Sequence, residues 1–363
     1  MTPAADENVK FLVRRDNWSQ TRFESEALEA LGQGQVRMAI DRFALTSNNI
    51  SYAATGDMLG YWNFFPAEEG WGRIPAMGFG DVVASEHPEV AVGERFFGFF
   101  PMARYLTVEP EGTTPSQFVD GAAHRREHAP VYRQYSRVLH DPLYDETREN
   151  QILLMRGLFM TSFLVDGFLS DHSGFGAENY ILGSASSKTA IALAFLLSGR
   201  QAGRVIGITG EANREFVEKL GLYDEVRGYD EVDSLPAESP SAFIDFSGHG
   251  AFVRALHEHA RENLKHHCIV GATHWAAGEP ADDLPGAEPT FFFAPGEIQN
   301  RVQAWGAEKF QQKMLEGWTL FCASSDSWLE VQTHAGSEDL ERVYLEVLEG
   351  RARPRDGHIL SLA

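Results

Sequence analysis

Apolar and polar positions follow different patterns in the two parts of the chain. Residues 36–44 (VRMAIDRFA) alternate apolar and polar side chains, the period of a strand with one buried face. Residues 75–85 (PAMGFGDVVAS) and 105–108 read the same way, punctuated by Gly93, Pro101, Pro110 and Gly112. Short strands separated by such breakers predict a small barrel or sandwich over residues 1–115. Residues 115–150 are rich in Arg, His and Tyr and read as helical in part. Residues 151–172 (QILLMRGLFMTSFLVDGFLSDH) form a strongly apolar helix candidate.

Farther on, apolar runs alternate with helical segments. Strands are predicted at 179–183, 204–208, 225–229, 241–246 and 267–271, with helices between them. That alternation implies an α/β fold with a parallel sheet covered on both faces. Helices follow near 298–317 and 337–349, and a strand closes the chain at 358–362. The chain has no internal repeat and no low-complexity segment.

The segment 179–210, NYILGSASSKTAIALAFLLSGRQAGRVIGITG, carries the candidate chemistry. It reads as a strand, a turn of small hydroxyl residues, a helix and a second strand, a βαβ unit. The helix starts straight after the turn, so its free N–H groups and dipole face any bound anion. Gly183-Ser184-Ala185-Ser186-Ser187-Lys188-Thr189-Ala190 is not G-x-G-x-x-G. Its small residues still allow close backbone approach, and its hydroxyls can donate to phosphate. Lys188-Thr189 resembles the end of a triphosphate-binding loop. Counting back from Lys188, however, puts Leu182 and Ser187 where that loop needs glycine. A plain buried strand–helix turn is the alternative.

The second strand ends in Thr209-Gly210, a neutral tip where an NAD site usually carries an acid. Asn213 and Arg214 follow within a turn and favour a 2′-phosphate, hence NADP(H). Glu211 reverses that preference if it points inward. Lys188 either adds positive charge to the site or is a solvated lysine.

Charge and cysteine content narrow the function classes. The net charge is −21, from 52 acids and 31 bases, and there is no basic run. Repulsion from phosphate argues against nucleic acid or an anionic membrane as partner and leaves a small-molecule substrate. Cys268 and Cys322 are the only cysteines, too few for a disulfide framework or a four-cysteine zinc site. The opening MTPAADENVK lacks a signal-peptide pattern, and the apolar stretches read as short of a membrane span. The expectation is a soluble cytoplasmic protein.

Several phrases carry a resemblance: Thr46-Ser-Asn48-Asn49-Ile-Ser-Tyr52, Tyr61-Trp62-Asn-Phe-Phe-Pro66, Gly121-Ala-Ala-His124-Arg125, Leu158-Phe159-Met-Thr161-Ser162-Phe163, Ser184 to Ala190, Gly271-Ala272-Thr273-His274-Trp275 and Phe291-Phe-Phe-Ala-Pro295. On these the chain resembles the bacterial family DUF2855 over nearly its whole length. More broadly it is similar to the quinone-oxidoreductase branch of the medium-chain dehydrogenase/reductase superfamily. The resemblance implies a GroES-like β-rich domain (1–150, with a helical insert near 115–150). It also implies a Rossmann dinucleotide-binding domain (151–297) and a C-terminal segment (298–363) returning to the first domain. A homodimer is common in the superfamily. The resemblance places nicotinamide between the domains, near Thr161 and the loops Phe246-Ser247-Gly248 and Gly271-Ala272-Thr273-His274.

Zinc-dependent members of the superfamily use an early cysteine and a following histidine–glutamate pair. No cysteine precedes Cys268, so hydrogen bonds must polarise a carbonyl instead. Tyr52 is the candidate general acid, and Asn48 the candidate holder of an oxyanion or ribose. Tyr52 also reads as a core aromatic with a satisfied hydroxyl. His274 is a second candidate proton donor, or a loop residue that orders Trp275. Tyr61, Trp62, His124, Tyr132, Tyr135 and Trp275 are candidate pocket residues, with packing against the barrel the alternative for Tyr61 and Trp62. His124-Arg-Arg-Glu127-His128 matches the metalloprotease pattern H-x-x-E-H, without an obvious third ligand. His257, His259, His266 and His267 read as a solvated helix and strand entry.

The expected activity is an NADPH-dependent, zinc-independent reduction of an activated C=C or C=O in a small apolar or aromatic substrate. A nucleotide-binding protein with little turnover, and a lyase or isomerase on the same scaffold, remain open.

Overall fold

Strands buried on both faces read as near-continuous apolar runs. The run Asn179–Leu182 is buried throughout, as is Ser241–Asp245. The computed structural model describes residues 7–270 and 283–362. Two compact units divide the chain: Met1–Leu154 with Leu329–Ala363, and Met155–Trp328.

In the second unit the described strands form one parallel sheet in the order Glu225–Gly228, Arg204–Thr209, Asn179–Leu182, Ser241–Asp245, Leu264–Ile269, Pro289–Phe291. Numbered along the chain, that is 3-2-1-4-5-6, the doubly wound dinucleotide-binding order. Alternate residues feed two cores. Tyr180, Leu182, Ala242 and Ile244 pack with Leu164, Val165, Leu193 and Leu197 on one face. Ile181, Ile206, Ile208 and Phe243 pack with Phe252 and Leu256 on the other. The helices Ala294–Trp305 and Ala307–Ser325 belong to this unit, because Phe310, Ile298 and Trp305 join the first of these cores. The return to the first unit therefore begins at Leu329 and not at 298.

The first unit is built on antiparallel strands, apart from the parallel pair Glu330–Ala335 and Asp356–Ser361. Its larger sheet runs Glu330–Ala335, Asp356–Ser361, Val36–Leu45, Pro75–Ser85, Arg95–Pro101, Gln134–Arg137, Gln117–Asp120, Pro110–Glu111, with Tyr105–Val108 also paired to Val36–Leu45. The C-terminal strand enters it through His358 opposite Leu45 and Leu360 opposite Phe43. A smaller sheet joins Thr21–Ala27, Glu7–Arg14 and Trp71–Gly72.

Two expectations are corrected here. Residues 115–150 hold two short strands, a four-residue helix (Pro130–Arg133) and 3-10 turns, not a helical insert. One buried guanidinium gathers several of the polar groups there. Arg125 bonds Asp120 at 3.1 Å, the Tyr135 hydroxyl at 2.8 Å and the Tyr132 carbonyl at 2.6 Å. The helix Glu149–Asp171 is also long and apolar enough to cross a membrane by length and composition; half of its apolar window is buried within the fold.

His257, His266 and His267 are likewise buried where solvation was expected, and His259 is half-buried. His257 Nε2 lies 2.9 Å from His267 Nδ1, and the His266 ring stacks on Phe175 at 3.9 Å. His259 bonds the Leu235 carbonyl at 2.9 Å. Burial, followed by a neighbouring histidine, holds His266 down to about 4 and His267 down to about 3. The unfolded chain, titrating near 6.5, then binds more protons below that value than the folded chain does. Stability is therefore full above pH 6.5 and falls towards about 4 and 3, by about 2 kcal/mol per histidine at pH 5. Urea unfolding at pH 7.5 and 5 measures this slope, and His267→Gln should flatten it; an unchanged slope contradicts the assignment.

Candidate functional site

The strand order reverses at Asn179–Leu182, and in doubly wound sheets ligands bind in the crevice beyond the carboxyl ends of the strands at such a point. The chain leaves the strand through Gly183, whose N–H donates to the Ile244 carbonyl at 3.0 Å. Ser184 takes a left-handed backbone, φ 53°, a conformation that costs most non-glycine residues about 1 kcal/mol or more. Ala185 donates to Ile208 at 2.8 Å, and Ser187 N–H closes the turn on the Ser184 carbonyl at 2.8 Å. Ser187 then caps the helix Lys188–Gly199, accepting from Ala190 N–H at 3.2 Å. The first turn of that helix presents its remaining amides at the crevice. Ser186, Lys188 and Thr189 are half-buried there.

The next strand tip supplies a buried carboxylate. Asp245 Oδ1 accepts from Ser247 N–H at 2.7 Å, Ser247 Oγ at 2.6 Å and Gly248 N–H at 3.0 Å. This shapes the loop that follows the fourth strand. A Cβ at Gly183 would lie 3.1 Å from both Asp245 Oδ1 and Ser247 Oγ, so the turn packs close against that loop. The Tyr229 hydroxyl accepts from Ser184 N–H at 3.1 Å and is hydrogen-bonded to Ser247. Its ring stacks on His249 at 4.8 Å, and burial pushes its hydroxyl up to about 12.

On the other side of the turn, Thr209 is 2% exposed and its Oγ1 has no hydrogen-bond partner among the described residues. Asn213 Nδ2 donates to Ser186 Oγ at 3.3 Å. Arg214 is paired with Glu211 at 2.9 Å and with Glu231, which also accepts from Gly228 N–H at 2.5 Å. The Glu211 side chain is 83% exposed, so it does not point inward. Thr161 Oγ1 bonds back to the Gly157 carbonyl at 3.2 Å, while its neighbour Ser162 reaches the Thr189 carbonyl at 2.8 Å. Gly271, Ala272, Thr273, His274 and Trp275 lie outside the described residues.

The first unit holds a separate aromatic cluster. Asn48 and Tyr52 sit one turn apart on the helix Ser47–Ala54, and Asn48 Nδ2 donates to the Tyr52 hydroxyl at 2.7 Å. The Tyr61 ring lies 4.7 Å from Tyr52, and its hydroxyl is 3.5 Å from that of Tyr132. Phe64 and Phe99 close the cluster. Burial raises the Tyr52 and Tyr61 hydroxyls above their ordinary range, and Tyr132 adds to both shifts.

Trp62 and Tyr135 do not join this group as pocket residues. Trp62 is buried between Gly56 and Gly72, where a Cβ would come within 2.2 and 2.3 Å of its ring. Tyr135 is enclosed, donating to the Phe99 carbonyl at 2.6 Å. His124 is exposed on a three-residue 3-10 turn, and His128 packs on Phe64 at 4.5 Å. The H-x-x-E-H pattern therefore does not form one helical face. Glu346, Asp356 and His358 have metal-ligand spacing, but Arg353 already holds both Asp356 oxygens, at 2.7 and 3.0 Å.

The residues missed from the sequence are Asp245, Tyr223, Tyr229, His249 and Glu231. The available signal was position: each lies at or next to a strand end around the turn.

Solved structures share this fold. CurA from Vibrio vulnificus in complex with NADPH is 14% identical, with a TM-score of 0.63 over 98% of this chain and 99% of that one. The yhdH oxidoreductase from Salmonella enterica in complex with NADP is 14% identical, with a TM-score of 0.55 over 98% and 100%. A putative NADPH:quinone reductase from Bacillus thuringiensis is 14% identical, with a TM-score of 0.57 over 98% and 99%. The shared fold is a Rossmann-type domain with a GroES-like β-rich domain. No curated protein matches the sequence. The family described as protein of unknown function DUF2855 matches residues 43–353, most of the chain, and it is to this family that the protein belongs.

Proposed function

We propose that the chain is a zinc-independent, NADP(H)-dependent oxidoreductase that reduces an activated C=C or C=O of a small apolar or aromatic substrate. One observation carries this reading: a helix N-terminus, entered through a left-handed turn, at the point where the parallel strand order reverses. The donors suit a dinucleotide. The buried Thr209 Oγ1 lacks a partner among the described residues, and Gly183 keeps the turn close to the Asp245 loop. The two solved structures of similar fold with NADPH or NADP support the cofactor class.

In this reading Ser186, Ser187, Lys188, Thr189 and the first-turn amides hold the pyrophosphate. Thr209, Asn213 and Arg214 hold the adenosine ribose, and Ser247 and Thr161 serve the nicotinamide end. The bound cofactor supplies a hydride to the substrate. Neither cysteine is poised as a zinc ligand: both are buried, and burial pushes the Cys268 thiol up to about 12.

Tyr52 is the proton donor. The hydrogen bond from Asn48 uses a lone pair of the Tyr52 oxygen and leaves its O–H proton free to be given to substrate. The rings of Tyr61 and Phe99 pack against the Tyr52 ring, and Tyr132 packs on both of them. Burial raises the Tyr52 pKa and so keeps the proton on the hydroxyl at neutral pH.

Arg214 tempers the coenzyme preference. Its charge is already matched by Glu211 and Glu231, so a 2′-phosphate competes with Glu231 for the guanidinium. Glu231→Gln should raise the ratio of NADPH to NADH affinity roughly tenfold, read by nucleotide fluorescence titration. An unchanged ratio places Arg214 away from the phosphate.

Tyr52→Phe should lower kcat with an enone or aldehyde about a hundredfold or more, leaving the NADPH affinity unchanged. The wild-type kcat should show no falling limb below about pH 10, since burial raises the donor's pKa above the ordinary tyrosine value of about 10. An unaltered kcat in the variant removes Tyr52 from the chemistry.

A further inference from the structure

The turn at residues 183–187 has a serine where a left-handed backbone would suit glycine, so something must hold it. Two tyrosines flank the strand Glu225–Gly228 and reach the turn from different sides. The Tyr229 hydroxyl accepts the Ser184 N–H at 3.1 Å. The Tyr223 hydroxyl donates to the Ala185 carbonyl at 2.8 Å. Tyr223 crosses the sheet because residue 207 is glycine: a Cβ there would lie 2.8 Å from the Tyr223 ring and 2.9 Å from the Ala185 methyl. Tyr229 is fixed in turn by its hydrogen bond to Ser247 and by stacking on His249 at 4.8 Å. Ser247 is itself fixed by the buried Asp245 at 2.6 Å.

We propose that Tyr223 and Tyr229 form a clamp that replaces glycine in the phosphate-binding turn, making them positioning residues for the nucleotide's pyrophosphate. The inference rests on the dinucleotide reading above. Both tyrosines engage backbone groups of residues 184 and 185. With these groups taken up by the clamp, the helix amides that follow are left aimed at the crevice. The clamp tolerates a side chain at position 184 that an unsupported turn would exclude.

Wild type, Y229F, S184G and S184G/Y229F form a cycle that tests this. NADPH affinity is read by nucleotide fluorescence, and the thermal midpoint is read without ligand. Y229F should weaken NADPH roughly three- to tenfold when Ser184 is present, because the left-handed serine turn then loses its support. In the S184G background the same change should cost less than about twofold, because glycine adopts the turn without help. The ligand-free thermal midpoint should show the same rescue. Equal losses in both backgrounds overturn the clamp and leave Tyr229 as ordinary packing. If wild type binds no NADPH, the dinucleotide reading fails, and the thermal cycle alone still decides whether the tyrosines hold the turn. Y223F gives an independent arm: it too should weaken NADPH, and unchanged affinity removes Tyr223 from the clamp.

Discussion

A helix can present its amides to an anion only if the chain leaves the preceding strand in a tight, fixed turn, and here that turn depends on the left-handed backbone of Ser184. Glycine would reach it without strain. Serine needs support, and the surrounding residues are arranged accordingly. Gly183 and Ala185 stay hydrogen-bonded to the neighbouring strands, while Tyr229 takes the Ser184 amide between them. Asp245 then organises the loop against which the turn rests. If Ser184 relaxed, the cap at Ser187 and the direction of the helix amides would shift with it.

The first unit solves a different problem, that of holding polar groups within an aromatic cluster. Arg125 is buried with Asp120 and ties the carbonyl of Tyr132 and the hydroxyl of Tyr135 into one arrangement. A charge buried this way is tolerated only when it is paired and its hydrogen bonds are met. Here the pairing also sets where Tyr132 stands beside Tyr61 and Tyr52. The Asn48–Tyr52 hydrogen bond fixes the hydroxyl that is proposed above as the proton donor.

Much of the second unit was legible in the sequence because buried parallel strands leave uninterrupted apolar runs such as YIL, VIGI and AFI. The sixth strand, Pro289–Phe291, was not, since three residues give no period to read. The turn was found from its small residues, but its support was hidden, because Tyr223, Tyr229 and Asp245 are distant from it in the chain. Residues 115–150 misled because Arg, His and Tyr at that density look like an exposed helix. Burial of Arg125 against Asp120 is a tertiary fact with no periodic signature. Trp62 and Tyr135 resembled pocket residues for a similar reason: an aromatic that lines a pocket and one that fills a core have the same sequence. For Trp62 the available hint was a pair of glycines, Gly56 and Gly72, whose missing side chains make its space.

The claim that joins these parts is that the turn at Ser184 receives a dinucleotide. Calorimetric titration of the intact protein with NADPH tests it most directly. The expected result is saturable binding of one NADPH per chain, with adenosine, which lacks the pyrophosphate, binding far more weakly. No binding of NADPH or NADH at millimolar concentration, or equal affinity for adenosine, would contradict the account.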